Sequence, residues 1–296
     1  FAASGSEVIV TSGASEALHI AVQAHVNPGE EVIIPDPGFV SYDALTKVAD
    51  ARPVPVELAD DLRMEPESVK EAIGEETSAI IVNSPANPTG AVQTEEDMRA
   101  FAEIAADYDI PLISDEVYDR FVYDGGHYSP AKFDENEGGN VVTVNAASKT
   151  FAMTGWRLGY VIASEARCDE MIKVHQYVQA CASAPSQYAV LEALTSDESD
   201  GAVDEMKREF EARRDLVLEG LDDIGLECPE PRGAFYAFPK VPEGFIDECL
   251  ERDVIVVPGD AFGDAGEGYA RLSYANSREN LREALDVMGE VVAELS

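Results

Sequence analysis

The sequence predicts an α/β fold with a mainly parallel central sheet and a smaller C-terminal α+β part. Three observations carry that expectation. Short, almost wholly apolar runs recur up to residue 164, amphipathic stretches separate them, and the pattern changes to long helical periods beyond that point. Continuous apolar runs read as strands buried on both faces. Strand and helix in alternation imply parallel crossovers.

The runs 8–10, 32–34, 54–56, 79–82, 111–113 and 141–144 read as strands, and 15–26, 42–49, 66–73 and 95–108 as the helices between them. Beyond residue 164, the stretches 167–180, 187–194 and 202–224 read as helices, the last long and charged. A strand at 234–238, a helix, strands at 254–257 and 269–273 and a final helix at 278–295 follow. The expected division is a large part, 1–185, and a small part, 186–296, joined by the long helix. The Gly-rich stretch 259–268 lacks the Lys-Ser/Thr and following helix of a phosphate loop and reads as a connection.

Charge excludes some activities. The chain has 58 Asp+Glu against 21 Lys+Arg, a net −37, which disfavours nucleic-acid and anionic-membrane binding. The acids are dispersed (Glu75-Glu76, Glu95-Glu96-Asp97, Asp222-Asp223) and form no tail. Such a surface repels itself unless salt screens it, so a salt-adapted, halophilic, cytoplasmic protein is expected. No run reaches the roughly 18 apolar residues of a membrane span. Cys168, Cys181, Cys228 and Cys249 are scattered, as are the four His, so neither a metal site nor a disulfide framework is expected.

The segment Ser148-Lys149-Thr150-Phe151-Ala152-Met153-Thr154-Gly155-Trp156-Arg157 holds the only Trp and sets a Lys and an Arg eight apart in apolar company. Burial disfavours a charged Lys. With Arg157 and the hydroxyls of Ser148, Thr150 and Thr154 beside it, the pattern suits an amine that forms a Schiff base next to a bound phosphate. Thr11-Ser12-Gly13-Ala14-Ser15 reads as a strand end, a turn and a helix start, where free N–H groups bind phosphate. Asn83-Ser84-Pro85-Ala86-Asn87-Pro88-Thr89-Gly90 reads as an extended, rigid loop aiming Asn87. Ser114-Asp115-Glu116-Val117-Tyr118 closes a strand with an acid and a phenol three residues apart.

Together with PDPGFVSY, RGAFYAFP and VVPGDAFG, these segments resemble the class I and II aminotransferases, pyridoxal-phosphate enzymes of fold type I. The resemblance spans essentially the whole chain and is nearest the archaeal and bacterial aspartate/aromatic subgroup. It implies pyridoxal 5′-phosphate as cofactor. Lys149 would hold it covalently and then move the proton between the substrate Cα and the cofactor. Asp115 would pair with the ring nitrogen, and Tyr118 and Asn87 would bond its phenolic oxygen. Phe39 would stack on the ring. Gly13, Ala14, Ser15, Ser148 and Arg157 would hold the phosphate. Arg271 would clamp the substrate carboxylate beside Asn87.

Three departures from the family pattern stand out. Ala146 replaces a phosphate-binding Ser, which Asn145 or a backbone group is expected to offset. The stretch from Pro239 to Val254 is short. The chain starts where the family's first large-domain helix is ending, so an N-terminally truncated sequence is expected. The resemblance implies exchange of an amino group between an L-amino acid of aspartate or aromatic type and a 2-oxo acid such as 2-oxoglutarate, in a homodimer. Other fold type I chemistries (lyase, decarboxylase) and the aminotransferase-like sensor domain of a transcription regulator are the alternatives.

Overall fold

The computed structural model describes residues 3–134 and 139–295. Seven strands build the main sheet: β1 (Val8–Thr11), β2 (Glu31–Asp36), β3 (Arg52–Glu57), β4 (Thr77–Asn83), β5 (Leu112–Asp115), β6 (Val141–Ala146) and β7 (Gly159–Ile162). Their spatial order is β1-β7-β6-β5-β4-β2-β3. From β6 to β3 every pair is parallel, and β7 alone runs antiparallel to its neighbours. The helices between strands are α1 (Ala14–His25), α2 (Ser41–Val48), α3 (Pro66–Ala72), α4 (Glu95–Tyr108) and the single turn α5 (Ala147–Thr150). α4 keeps its expected bounds because Thr94 and Asp97 cap it reciprocally, at 3.1 and 2.9 Å.

Both faces of the central strands are buried, as continuous apolar runs require. Val32, Ile34, Ile81, Ile113 and Val142 pack on one side with Leu18 and Ile20 of α1. Ile33, Ile80, Val82 and Leu112 alternate to the other side, against Met98 and Phe101 of α4. The two edge strands depart from that expectation. β3 is largely open to solvent, and Val10 of β1 is exposed. Pro53 and Pro55 explain β3: proline lacks the ladder donor and is confined to sheet edges. β7 is a strand beyond those expected, a short run opening on a glycine.

The chain continues through α6 (Glu165–Val178), α7 (Ala184–Thr195) and α8 (Asp197–Asp223). A small antiparallel sheet follows, made of β8 (Tyr236–Ala237), β9 (Val257–Pro258) and β10 (Ala270–Ser273) in the order β8-β10-β9, with α9 (Phe245–Glu251) and α10 (Arg278–Leu295). The strand expected at 254–257 is only the pair Val257–Pro258, and Ile255 is 81% exposed. Phe210 and Leu221 of α8, Phe245, Tyr274 and Leu285 form a core that also takes in Tyr118 and Phe121, which follow β5. The C-terminal part is thereby seated over the carboxyl edge of the main sheet.

That edge is aligned by register. Thr11, Gly159 and Ala146 are paired across β1, β7 and β6, and Asn83 lies opposite Asp115. The turns that follow Thr11, Asn83, Asp115 and Ala146, and the one that leads into Gly159, open on the same side, where α/β sheets place ligands. Phe101 is fully buried under this frame. Phe101→Ala should cost about 3–5 kcal/mol of stability, read from the midpoint and slope of a urea unfolding curve.

Candidate active site

At the strand ends lies a cleft of about 270 Å³. Asp115, the last residue of β5, forms its floor. Its Oδ2 accepts the Tyr42 hydroxyl at 2.8 Å and its Oδ1 accepts the Val117 N–H at 3.3 Å. Burial pushes the carboxyl up to about 6; the two hydrogen bonds and Lys149 pull the other way, and Glu116 adds to the rise. From the end of β4, Asn83 donates to the Asp115 and Pro85 carbonyls at 2.9 and 3.2 Å and accepts the Asn87 N–H at 2.9 Å. The 83–90 loop is therefore folded back, with Ala86 N–H on the Ala91 carbonyl, rather than extended.

Lys149 projects from α5 into the same cleft. Its Nζ lies 5.8 Å from the centroid of the Tyr118 ring and 5.7 Å from that of Phe235. Burial, then the charges of Arg271 and Arg157, hold its pKa below the ordinary lysine value, with Asp115 opposing. A lysine so depressed carries more of the neutral, nucleophilic amine at neutral pH.

One end of the cleft is built for an anion. α1 begins at Ala14 after Gly13, whose φ is +80°. The first-turn N–H groups of a helix have no partner within it. A Cβ on Gly13 would fall 2.5 Å from Nη2 of Arg157, so only glycine lets the guanidinium lie over the helix start. A Cβ on Gly159 would fall 2.6 Å from the Gly13 carbonyl carbon and 2.7 Å from Ala14 N, so only glycine there admits the turn against β7. Arg157 donates to the Thr154 carbonyl at 2.9 Å, and Ser15, Ser148 and Thr154 line the wall.

At the other end, Nη1 of Arg271 on β10 donates to Oδ1 of Asn87 at 3.0 Å. Its Cζ lies 4.7 Å from the Tyr236 ring centroid and 4.8 Å from that of Phe262. Among the described residues its buried Nε has no hydrogen-bond partner. A buried donor left open marks a place for an acceptor. The hydroxyls of Tyr118 and Tyr236 are 2.9 Å apart, and Phe39 lines the cleft edge-on to Tyr42.

The profile of the family "Aminotransferase class I and II" matches residues 2–288. The chain belongs to that family. It is 43% identical to a probable aspartate aminotransferase of Methanocaldococcus jannaschii, over 96% of this chain and 77% of the relative. It is 42% identical to the aspartate aminotransferase of Pyrococcus abyssi, over 97% and 76%. Among solved structures it superposes on an aromatic aminotransferase of Pyrococcus horikoshii with a TM-score of 0.93 at 42% identity, covering 97% of this chain and 80% of that one. Thermus thermophilus aspartate aminotransferase with maleate gives 0.92 at 41%, over 97% and 76%. Class I and II aminotransferases depend on pyridoxal phosphate, and the expected fold is that of the family's solved members.

In this aminotransferase the structure gathers the residues singled out in the sequence. Ala14, Ser15, Phe39, Asn87, Asp115 and Tyr118 line the cleft with Ser148, Lys149, Arg157 and Arg271, and Gly13 backs onto Arg157. Two of the side chains singled out in the sequence stay outside the cleft. Thr150 turns away and donates to Asp119 at 3.3 Å. Asn145 does not offset Ala146: alternation along β6 points it to the opposite side, toward Asp119. Tyr42, Asn83 and Tyr236 also line the cleft, with no role expected for them from the sequence. They lie in PGFVSY, NSPANP and GAFYAF, but a buried phenol or amide needs a partner that those segments do not name.

The donor set fits the cofactor: a cradle of helix N-terminus, guanidinium and hydroxyls at one end, a carboxyl on the floor, and an amine between them. Asp115 titrating near 6 makes folding pH-dependent in the cofactor-free protein. Its folded value lies above the unfolded one, so its ionisation weakens the fold as pH rises from about 4 through 6. Asp115→Asn should accordingly be more stable than wild type at pH 7–8, with the gap closing below about pH 4, as followed by thermal melts across pH.

Proposed function

We propose that this aminotransferase exchanges the amino group of an L-amino acid of the aspartate or aromatic type with a 2-oxo acid such as 2-oxoglutarate. The observation that carries the proposal is the convergence of the Lys149 amine, the Asp115 carboxyl and the Arg271 guanidinium on one cleft. The substrate class is supported by the relatives named above.

When bound, pyridoxal phosphate supplies an aldehyde that condenses with amines and a ring that disperses negative charge at the substrate Cα. Lys149 would hold it covalently; once displaced by substrate, its amine would take the proton from Cα. Asp115, oriented by Tyr42, would keep the ring nitrogen protonated. Tyr118 and Asn87 would donate to the phenolic oxygen, and Phe39 would cover the ring face. The Gly13–Ser15 turn, Ser148 and Arg157 would bind the phosphate. Arg271, flanked by two rings, presents a fixed fork for the α-carboxylate that lysine could not reproduce.

The same proposal takes the 1–185 and 186–296 parts as the large and small domains and places the protein in a reducing cytoplasm at high salt. Among the described residues no helix is long and apolar enough to cross a membrane. A homodimer is part of it. An apolar groove of about 590 Å³ is lined by Val8, Val10, Tyr160, Ile162, Tyr188 and Leu191 of β1, β7 and α7. A patch of that kind favours cover by another surface.

Lys149→Ala should lose the visible absorption of bound cofactor and all amine exchange with aspartate or phenylalanine while keeping its far-ultraviolet dichroism. A variant that retains the wild-type spectrum overturns the assignment. Along a KCl series from about 0.1 to 2 M, light scattering should report a dimer and the melting temperature should climb as repulsion is screened. A monomer, or a flat melting temperature, contradicts these two parts of the reading.

A further inference from the structure

The proposed roles leave a third buried phenol in the cleft, beside Tyr42 and Tyr118, unexplained. Tyr236 lies on β8, paired with Ser273, two residues beyond Arg271 on β10. Its hydroxyl is 2.9 Å from that of Tyr118, and its ring packs edge-on to Tyr118 with centroids 5.8 Å apart. The same ring lies 4.7 Å from the Arg271 Cζ. The loop carrying Asn87 is fastened to the segment entering β8: the Gly90 carbonyl accepts the Arg232 and Gly233 N–H groups at 2.9 Å. A Cβ on Gly90 would fall 2.8 Å from the Tyr236 carbonyl oxygen. One side chain thus touches both ends of the proposed chemistry.

We infer that Tyr236 is a positioning residue for both: its hydroxyl donates to the Tyr118 oxygen, and its ring holds the Arg271 guanidinium in plane for a carboxylate. The inference rests on the roles given to Tyr118 and Arg271 above. With Tyr236 as donor, the Tyr118 proton is left for the cofactor's phenolic oxygen, and donation along such a chain is strengthened. The ring acts separately. A guanidinium held between Tyr236 and Phe262 cannot swing out of the plane that bidentate binding needs.

The test uses the holoenzyme and two readouts other than turnover. The first is the pH midpoint of the bound cofactor's absorbance. A donor to the phenolic oxygen favours its ionised form, so weakening that donor raises the midpoint. Y236F should raise it by about half a pH unit, in the direction of Y118F, and the double variant should go no further than Y118F. The second is the Kd of maleate, an unreactive dicarboxylate, by calorimetry. Y236F, which keeps the ring, should stay within about twofold of wild type, whereas Y236L and Y236M should bind roughly tenfold more weakly. The hydroxyl role is overturned if Y236F keeps the wild-type midpoint while Y118F moves it. The ring role is overturned if either Y236L or Y236M binds maleate like wild type while R271K binds it worse. If Y118F and R271K move neither readout, the underlying reading of the cleft falls, and the inference with it.

Discussion

The Asp115 carboxylate accepts a hydroxyl from Tyr42 and an amide from Val117 while cut off from water at the end of β5. A buried carboxylate is tolerated only where donors meet it, and here they come from α2 and from the chain leaving its own strand. To deliver Tyr42, α2 must cross the sheet next to β2, and Phe39 enters the cleft on the same turn. To deliver Asn83 opposite, β4 must pair with β5 in this register. One carboxyl therefore constrains three strand ends. Its raised pKa is the measure of that constraint: the floor of the cleft favours a proton, and a cationic ring nitrogen would meet the same need.

A chain of net −37 nevertheless gathers Lys149, Arg157 and Arg271 in one small cleft. Each is oriented by something other than a carboxylate. Arg157, with φ +51°, is anchored on the Thr154 carbonyl and lies over Gly13. Arg271 sits between two rings and on the Asn87 amide oxygen, and Lys149 over two more rings. Rings and neutral oxygens hold a cation without neutralising it, so the positive field stays available to an anion. The acids on the outside pair with most of the remaining Arg and Lys, including Arg63, Arg120, Arg252 and Arg278. Surface pairs of this kind contribute little singly. Their effect here is to offset much of the positive charge that lies outside the cleft.

Much of this was legible in the sequence because glycines, prolines and charged residues stand out against apolar strands. Runs such as AIIV and VVTV admit one reading, and Gly13, Asp115 and Lys149 lie just beyond runs of that kind. β7 was not legible: it is short, begins on Gly159 and reverses the sheet's direction, so no crossover helix announces it. Residues 254–257 read as a strand because they are β-branched, yet Ile255 faces solvent and pairing begins only at Val257. Tyr42, Asn83 and Tyr236 were hidden for another reason. Tyr42 and Tyr236 act through partners 73 and 118 residues away, and Asn83 reaches Asp115 32 residues on, separations that leave no periodic trace.

The two walls of the cleft belong to different sheets, and specific contacts join them. Gly38 N–H donates to the Phe262 carbonyl at 2.8 Å, next to Phe39 on one side and carrying the ring that faces Arg271 on the other. The Asp36 carboxylate accepts the Ala265 N–H at 3.1 Å, and a Cβ on Gly263 would fall 2.0 Å from its Oδ1, so the connection must be glycine there. The third join is Gly90 on the 232–233 segment. All three tie a loop of the main sheet's carboxyl edge to a loop of the small sheet within a few residues of a cleft-lining group. A displacement of the small sheet would therefore carry Arg271 and Phe262 together and pull on Phe39 and Asn87 at once. The distance between the phosphate cradle and the carboxylate fork is set by these joins, more than by either sheet alone.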